Sequence, residues 1–412
     1  MYDFERFFRM DTAAAVEYAV SRLAYFTSEE KPEAEEIGDG NINYVFRLHS
    51  PVSGRSLILK QADVLLRSSG RPLKLRRSLL EASLLQLENE LAPGFVPEVY
   101  HYDEVMAVTA MEDVSAYGNL RRELAAGHVY GHLAEQISEF LVRTLLPTTD
   151  LVMPAAKKKE LAGFYINPEL CNITEELVLK EPYYDPAGRN ILTPGNEDYV
   201  REHLYENHAL ITEAALLRER FMNEAQALLH GDLHTGSIFA NGDGIKVLDP
   251  EFAFYGPMGY DIGNVIGNFL MAWAAMLFGD RAEEKSADGE AGTAEAILET
   301  AVRITDLVRE KLAKLYDELV TLPMYREEGF RTRYLSGIMA DSMGYAGTEI
   351  IRRTVGHAKI PEFRSVTVPE RRIAMERMLI RLGTALVMER GGIADGEALR
   401  AAAEEALHGT DG

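Results

Sequence analysis

The sequence predicts an α+β protein in two parts, a small β-rich N-terminal lobe followed by a larger, mainly α-helical C-terminal lobe. Three observations carry this. The 412 residues of the chain exceed the ~150 that one domain typically holds. Between Ile37 and Asp113 short strand-like runs are separated by turn residues, with one long helical run among them. After SAYGNLRREL the apolar spacing becomes that of helices. The division falls after residue 115, giving an N-terminal lobe of 1–115 and a C-terminal lobe of 116–412.

Asp11 to Phe26 (DTAAAVEYAVSRLAYF) opens on a capping residue and repeats apolar positions at helical spacing, so it predicts an amphipathic lead-in helix. GDGNINYVFRLHS and SLILKQADV, joined by the turn residues PVSGR, predict a β-hairpin within Ile37 to Val64. Leu73 to Leu91 reads as a helix, and VPEVYHYDEV and MAVTAMED read as two further strands. Helices are then expected at Leu133 to Leu145, Val200 to Leu229, Tyr260 to Leu277, Thr293 to Tyr316, Arg331 to Thr354, and from Pro369 onward. Two polar interruptions, within 181–198 and 280–292, predict surface loops, with a substrate lid as the functional alternative for each.

Composition narrows the function classes. The single cysteine, Cys171, excludes a disulfide framework and any multi-cysteine metal site within one chain, which fits a reducing, cytoplasmic setting. No stretch approaches the ~18 uninterrupted apolar residues of a membrane span, so neither export nor a membrane is expected. The formal charge of −22 repels a polyanion at long range, so nucleic acid is not an expected partner. A small anion such as a nucleotide remains compatible if placed cations or a metal ion cancel that field locally.

The strongest chemical signal is LLHGDLHTGSIFANGDGIKVLDPEFAFYGPMGYDIG, Leu228 to Gly263. Asp249 and Glu251 stand two apart after the strand-like IKVL, and paired carboxylates suit Mg²⁺, which takes a few acids plus phosphate oxygens. Asp232, on its own HGD turn, is left to accept a proton from a substrate hydroxyl. His230 and His234 are four apart, but the glutamate of an HExxH motif is missing and Gly231 and Gly236 oppose a helix, so zinc is not expected. Lys60 closes the apolar run SLILK, an unfavourable place for an unpaired ammonium. Glu81 in the following helix is its expected partner, with Glu88 the alternative. Arg352 and Arg353 stand out against the negative total charge. Adjacent helix positions point in different directions, and by themselves two arginines read as a solvated helix face, the alternative being one that forks a phosphate or substrate while the other caps or pairs structurally.

This arrangement resembles the protein-kinase-like phosphotransferases, in which a catalytic aspartate is followed five residues later by a metal-binding asparagine and then by a strand ending in DFG. Here Ser237 replaces the asparagine and DPE replaces DFG, so the second carboxylate is expected to come from Glu251, with Ser237 a weak neutral ligand. The HGD form resembles the small-molecule and aminoglycoside-type branch of that superfamily. The resemblance implies a bilobal protein-kinase-like fold that uses ATP and Mg²⁺. Gly40 and Asn43 would cover the nucleotide phosphates, Lys60 would contact them, and the backbone of Glu112, Asp113 and Val114 in MEDVS would hold adenine. Asp249, Pro250 and Glu251 complete the expected nucleotide and metal segment.

GDGNINYVFRL, HGDLHTGSI through DPEFAFYGPMGYDIGN, and GTEIIRRTVGHA are together similar to the 5-methylthioribose kinase family, as are VPEVYHYD, MAVTAMEDVS and FYINPELCNITEELV. That resemblance implies transfer of phosphate from ATP to the anomeric hydroxyl of methylthioribose in methionine salvage. It implies that Asp232, Arg352 and Arg353 contact the sugar, and that the protein is a homodimer. The alternatives are a kinase for another small alcohol, such as an aminoglycoside, choline or a deoxypentose, and a non-catalytic nucleotide-binding module. Paired arginines speak against cationic substrates, and the retained base, acids and lysine speak against the module.

Overall fold

The computed structural model describes residues 2–37, 43–65, 72–280 and 292–409. It divides into two compact units, one of Met1–Tyr117 with Lys246–Ala253, the other of Gly118–Ile245 with Phe254–Gly412. The segment 246–253, which bears the two acids, packs with the N-terminal unit, where Val247 N donates to Phe95 O (2.7 Å) and Lys246 Nζ to Glu112 Oε2 (2.8 Å).

The first unit begins with α1 (Thr12–Glu17), capped by Asp11, whose side chain accepts from Ala14 N. It continues through a π-helical turn, so the lead-in helix predicted to Phe26 ends at Arg22. The strands β1 (Glu33–Glu36), β2 (Asn43–His49) and β3 (Ser56–Ala62) precede α2 (Arg76–Leu91), and β4 (Val99–Asp103) and β5 (Val108–Met111) follow it. Among the described residues these five strands form one antiparallel sheet in the order β1-β2-β3-β5-β4. The predicted hairpin is β2–β3, in the register Val45↔Lys60 and Phe46↔Leu59. The acidic edge strand β1 was not expected. Phe46, Leu48, Leu57, Leu59, Val108 and Ala110 close one core with Phe4, Tyr18 and Phe26 of the lead-in. Lys60 lies in the central part of β3, between β2 and β5, and is buried.

The second unit starts with β6 (Gly118–Asn119) and α3 (Leu120–Ala126), followed by α4 (Leu133–Leu145), α5 (Ala155–Phe164), α6 (Pro168–Leu177), α7 (Glu197–Val200) and α8 (His208–Asn223). Two short strands, β7 (Ala227–Leu229) and β8 (Ile238–Ala240), precede β10 (Phe254–Gly256), while β9 (Ile245–Val247) runs into the segment that groups with the first unit. The long helices α9 (Gly259–Phe278), α10 (Thr293–Leu319) and α12 (Glu328–Val355) follow, with α11 (Pro323–Arg326) before the last, and α13 (Pro369–Met388) and α14 (Gly396–His408) close the chain. The helix expected over Val200 to Leu229 is broken: after the end of α7 at Val200 come a π-helical stretch, Arg201–Tyr205, and then α8. The last three residues of that span are β7, paired antiparallel with β10 through Leu229↔Phe254, because the apolar run ALL satisfies either period. Helix α9 is long and apolar enough to cross a membrane, yet every residue from Gly259 to Ala275 is buried among other helices of the unit.

Helices α9 and α12 approach so closely that a Cβ on Gly263 would lie 2.3 Å from Ser342 O and 2.7 Å from Ala346 N. This contact sets the start of α9 against α12. Gly263→Ala should therefore force the helices apart and lower stability by about 1–3 kcal/mol, as overpacking of a tight core does. A thermal midpoint equal to the wild type's would show that the contact is soft.

Candidate active site

In the first unit the chemistry centres on Lys60. Its Nζ donates to Glu81 Oε1 at 2.5 Å and to Asp249 Oδ1 at 2.6 Å. Glu81, not Glu88, is thus the partner of Lys60; Glu88 lies two turns further along α2. Burial alone would push the ammonium pKa down, but Asp249, Glu81 and Glu251 outweigh it and raise it, so Lys60 is a fixed cation. A second cation, Arg77, sits one turn before Glu81 on α2, is buried, and donates from Nε to Glu251 Oε2 (3.2 Å) and from Nη2 to Asn43 Oδ1 (3.1 Å). Helix α2 therefore grips both the lysine and the acid segment.

Asp249 adopts φ +66°, the left-handed region that a non-glycine residue enters at a cost of about 1–3 kcal/mol. This local strain turns its carboxylate toward Lys60 while half of the side chain stays exposed (50%). Three carboxylates, Glu81, Asp249 and Glu251, face two cations, Lys60 and Arg77. Burial raises the pKa values of Glu81 and Glu251. A surplus of hard oxygen donors in a partly buried site fits a divalent cation such as Mg²⁺. Among the described residues no group of three or more His, Cys, Asp or Glu side chains converges on one point, so an ion held by Asp249 and Glu251 would need further oxygens, as phosphate supplies.

In the second unit the chain leaves β7 into the HGD turn. Gly231 takes φ +81°, and both carboxylate oxygens of Asp261 receive backbone donors, His230 N at 2.7 Å and Gly231 N at 3.0 Å. Asp261 belongs to the first turn of α9, so the packing of that helix aims the turn. The far side is braced by Asn119 Nδ2 donating to Gly236 O (2.7 Å) and Arg121 N donating to Thr235 O (3.0 Å). Arg121 in turn pairs with buried Glu362 at 3.0 Å.

Asp232 is the focus of this turn. Burial pushes its pKa up, but His234, Arg352 and Arg353 outweigh that and lower it, so Asp232 is ionised at neutral pH. His234 Nδ1 accepts from Ser237 N at 3.0 Å, which places the ring proton on Nε2, 3.7 Å from Asp232 Oδ2. Burial pushes the His234 pKa down to about 4, so the ring is neutral. Ser237 Oγ donates to Asp232 O (3.0 Å). The expected metal ligand is thus engaged in bracing the turn.

Arg352 and Arg353 do not diverge as their adjacency suggested. Both fold back onto Glu349, three and four residues earlier, at 2.5 Å and 2.8 Å, and both side chains are only 11% exposed. The i−3 and i−4 positions share one helix face, so one glutamate gathers both guanidiniums.

The phosphotransferase enzyme family model matches residues 33–296. A methylthioribose kinase of Geobacillus sp. (strain WCH70) is 35% identical over 391 residues, 94% of this chain and 93% of that protein. Another, from Yersinia pseudotuberculosis serotype IB (strain PB1/+), is 37% identical over 387 residues, 93% of each. The chain belongs to the methylthioribose kinase family of phosphotransferases. Among solved structures, choline kinase from Cryptosporidium parvum Iowa II overlays with a TM-score of 0.49 at 11% identity, covering 94% of this chain and 96% of that one. A glucosamine kinase complex overlays at 0.43 and 15%, covering 84% and 85%. Neither likeness bears on the substrate.

Within this member of the methylthioribose kinase family the expected residues fall into two groups. Asn43, Lys60, Glu81, Asp249 and Glu251 come together in the first unit, with buried Pro250 between the two acids. Asp232, Ser237, Arg352 and Arg353 come together in the second, through His234 and Glu349. Gly40 lies outside the described residues, as does 281–291. In MEDVS the side chain of Asp113 pairs with Arg47 at 2.8 Å, Glu112 N donates to Glu98 O, and Val114 O accepts from Tyr117 N. The loop at 181–198 is tied down: Ile191 N donates to Val355 O (2.9 Å), Thr193 Oγ1 and Asn196 Nδ2 donate to Glu376 at 2.7 and 3.0 Å, and that anchorage argues against a lid. Arg77, Asp261, Arg121 and Glu349 were missed. Of these only Glu349 carries a local signal, its spacing to the arginines in TEIIRR.

Proposed function

We propose that this protein is an ATP-dependent kinase that phosphorylates 5-methylthioribose at its anomeric 1-hydroxyl in methionine salvage. The observation that carries this reading is Asp232, held ionised beside Arg352 and Arg353, in a chain 35–37% identical to methylthioribose kinases over nearly its whole length. The sugar oxygen would form a bond to the γ-phosphorus of ATP as the bond to the β,γ-bridging oxygen breaks, releasing ADP, and the hydroxyl proton would pass to Asp232. Arg352 and Arg353 offer donors to sugar hydroxyls and to the transferring phosphoryl group. Lys60 steadies the nucleotide phosphates, with Glu81 fixing its direction. Asp249 and Glu251 would hold Mg²⁺, which when bound neutralises phosphate charge. The backbone of Glu112, Asp113 and Val114 in MEDVS would meet adenine.

A cytoplasmic homodimer belongs to the same reading. The lone free Cys171 supports the compartment and the family resemblance supports the dimer, for which light scattering should give twice the chain mass. The deciding experiment is ATP consumption with methylthioribose, 5-deoxyribose, ribose, choline and an aminoglycoside, with the product's phosphate position read by NMR. Methylthioribose should be used most efficiently and be phosphorylated at position 1. Efficient use of a cationic alcohol with none of methylthioribose would overturn the reading.

Loss of one charge-assisted hydrogen bond, worth about 1.5–3 kcal/mol, should make Arg352→Ala and Arg353→Ala each weaken sugar use by roughly tenfold to a hundredfold. ATP affinity measured without sugar should change much less. Because both arginines converge on one carboxylate, both variants are expected to show the defect. If neither alters sugar kinetics, the sugar site has been misassigned.

A further inference from the structure

The arginine pair has a keeper one turn earlier on the same helix, Glu349. Glu349 is 1% exposed and its two oxygens are divided between the guanidiniums: Oε2 accepts from Arg352 Nε (2.5 Å), and Oε1 from Arg353 Nε (2.8 Å) and Arg352 Nη2 (3.2 Å). The Arg352 and Arg353 charges hold its carboxyl well below the usual carboxylate range, against the effect of burial. Two adjacent buried cations would otherwise repel one another and splay around the helix, about 100° apart at 3.6 residues per turn. The same Oε1 accepts from Asn268 Nδ2 (3.4 Å), and Asn268 Oδ1 accepts from Thr235 Oγ1 (3.4 Å) and Arg121 Nη2 (3.3 Å). Thr235 belongs to the turn that carries Asp232, and Asn268, 1% exposed, is a residue of α9.

We propose that Glu349 is a positioning residue for phosphoryl transfer: it gathers Arg352 and Arg353 onto one face of α12 and, through Asn268, registers that pair against the turn bearing Asp232. The inference rests on the reading that the two arginines serve the sugar. It also explains the charge of the group. One carboxylate beneath two guanidiniums leaves a single surplus positive charge beside the Asp232 anion, so the unliganded group is balanced and the arginines stay ordered before substrate arrives. An apolar residue at 349 would leave two buried cations facing only the Asp232 anion, and the surplus charge would seek solvent or a new anion.

The test uses the whole 412-residue chain, with kcat and KM for methylthioribose and, separately, the affinity for a non-hydrolysable ATP analogue without sugar. Glu349→Ala should raise the sugar KM by roughly tenfold to a hundredfold, the loss of about one charge-assisted contact, while nucleotide affinity stays within about threefold. Adding millimolar formate or acetate, which fits the vacated carboxylate position, should recover a substantial part of the loss, and chloride at equal ionic strength should not. Glu349→Gln, which keeps the volume and removes the charge, should show the same KM defect when assayed below its own thermal midpoint, so the proposal does not depend on the alanine variant folding. An unchanged sugar KM in the glutamine variant overturns the proposal. So does a defect that formate leaves untouched and that lowers nucleotide affinity equally. If Arg352→Ala and Arg353→Ala raise the sugar KM while the Glu349 variants do not, only this inference fails. If none of the four variants does, the sugar-site reading fails with it.

Discussion

Asp232→Asn lowers kcat by ~10²–10⁴, the usual contribution of a positioned general base, with nucleotide affinity close to that of the wild type. Asparagine keeps the shape of the side chain and can still meet the His234 ring, but it takes no proton from the sugar hydroxyl. The clamp beneath the turn is unaffected, because Asp261 binds the backbone of His230 and Gly231 rather than the Asp232 side chain. Single-turnover kinetics with saturating ATP and sugar isolate the chemical step. Turnover near the wild-type value in this variant removes Asp232 from its role and leaves the turn with a purely structural purpose.

Asp249→Asn should reduce kcat/KM for Mg·ATP by ~10²–10³, comparable to deleting one preorganised electrostatic contact in other enzymes, and shift the Mg²⁺ titration to higher concentration. Asparagine tolerates positive φ about as well as aspartate does, so the strained backbone at φ +66° is retained and the loss is chemical. Glu251→Gln should have a smaller effect of the same kind, because Arg77 and Asn43 still hold that side chain. Mg²⁺ titrations of the Asp249 variant that overlay those of the wild type would show that the metal is held elsewhere.

Much of this site is legible in the primary sequence because its pieces are local. HGDLHTGS and LDPEF are continuous strings in which turn, base and acids lie within twenty residues of one another, and a lysine at the end of an apolar strand announces a partner by the cost of burying it alone. The partner itself was less legible. Glu81 and Glu88 are seven apart on one helix and therefore share a face, so periodicity offers both, and only the seating of α2 on the sheet selects the first. The helix read across Val200 to Leu229 went wrong at its end because three apolar residues carry no period of their own.

The chain alone determined the order of a β-rich part before a helical part, and it singled out Asp232, Asp249, Glu251, Lys60 and the adjacent Arg352 and Arg353 as the candidate groups. Tertiary structure decided what those groups do to one another. It moved 246–253 into the first unit, brought Arg77 to Glu251, and set Asp261 thirty residues downstream beneath the Asp232 turn. It also turned two arginines that adjacency would splay into a pair on Glu349. The physical reason is the same in each case: a charge buried in a low-dielectric interior must be met by another charge or a backbone dipole. Sequence shows which residues carry charge, while only packing settles which of them meet.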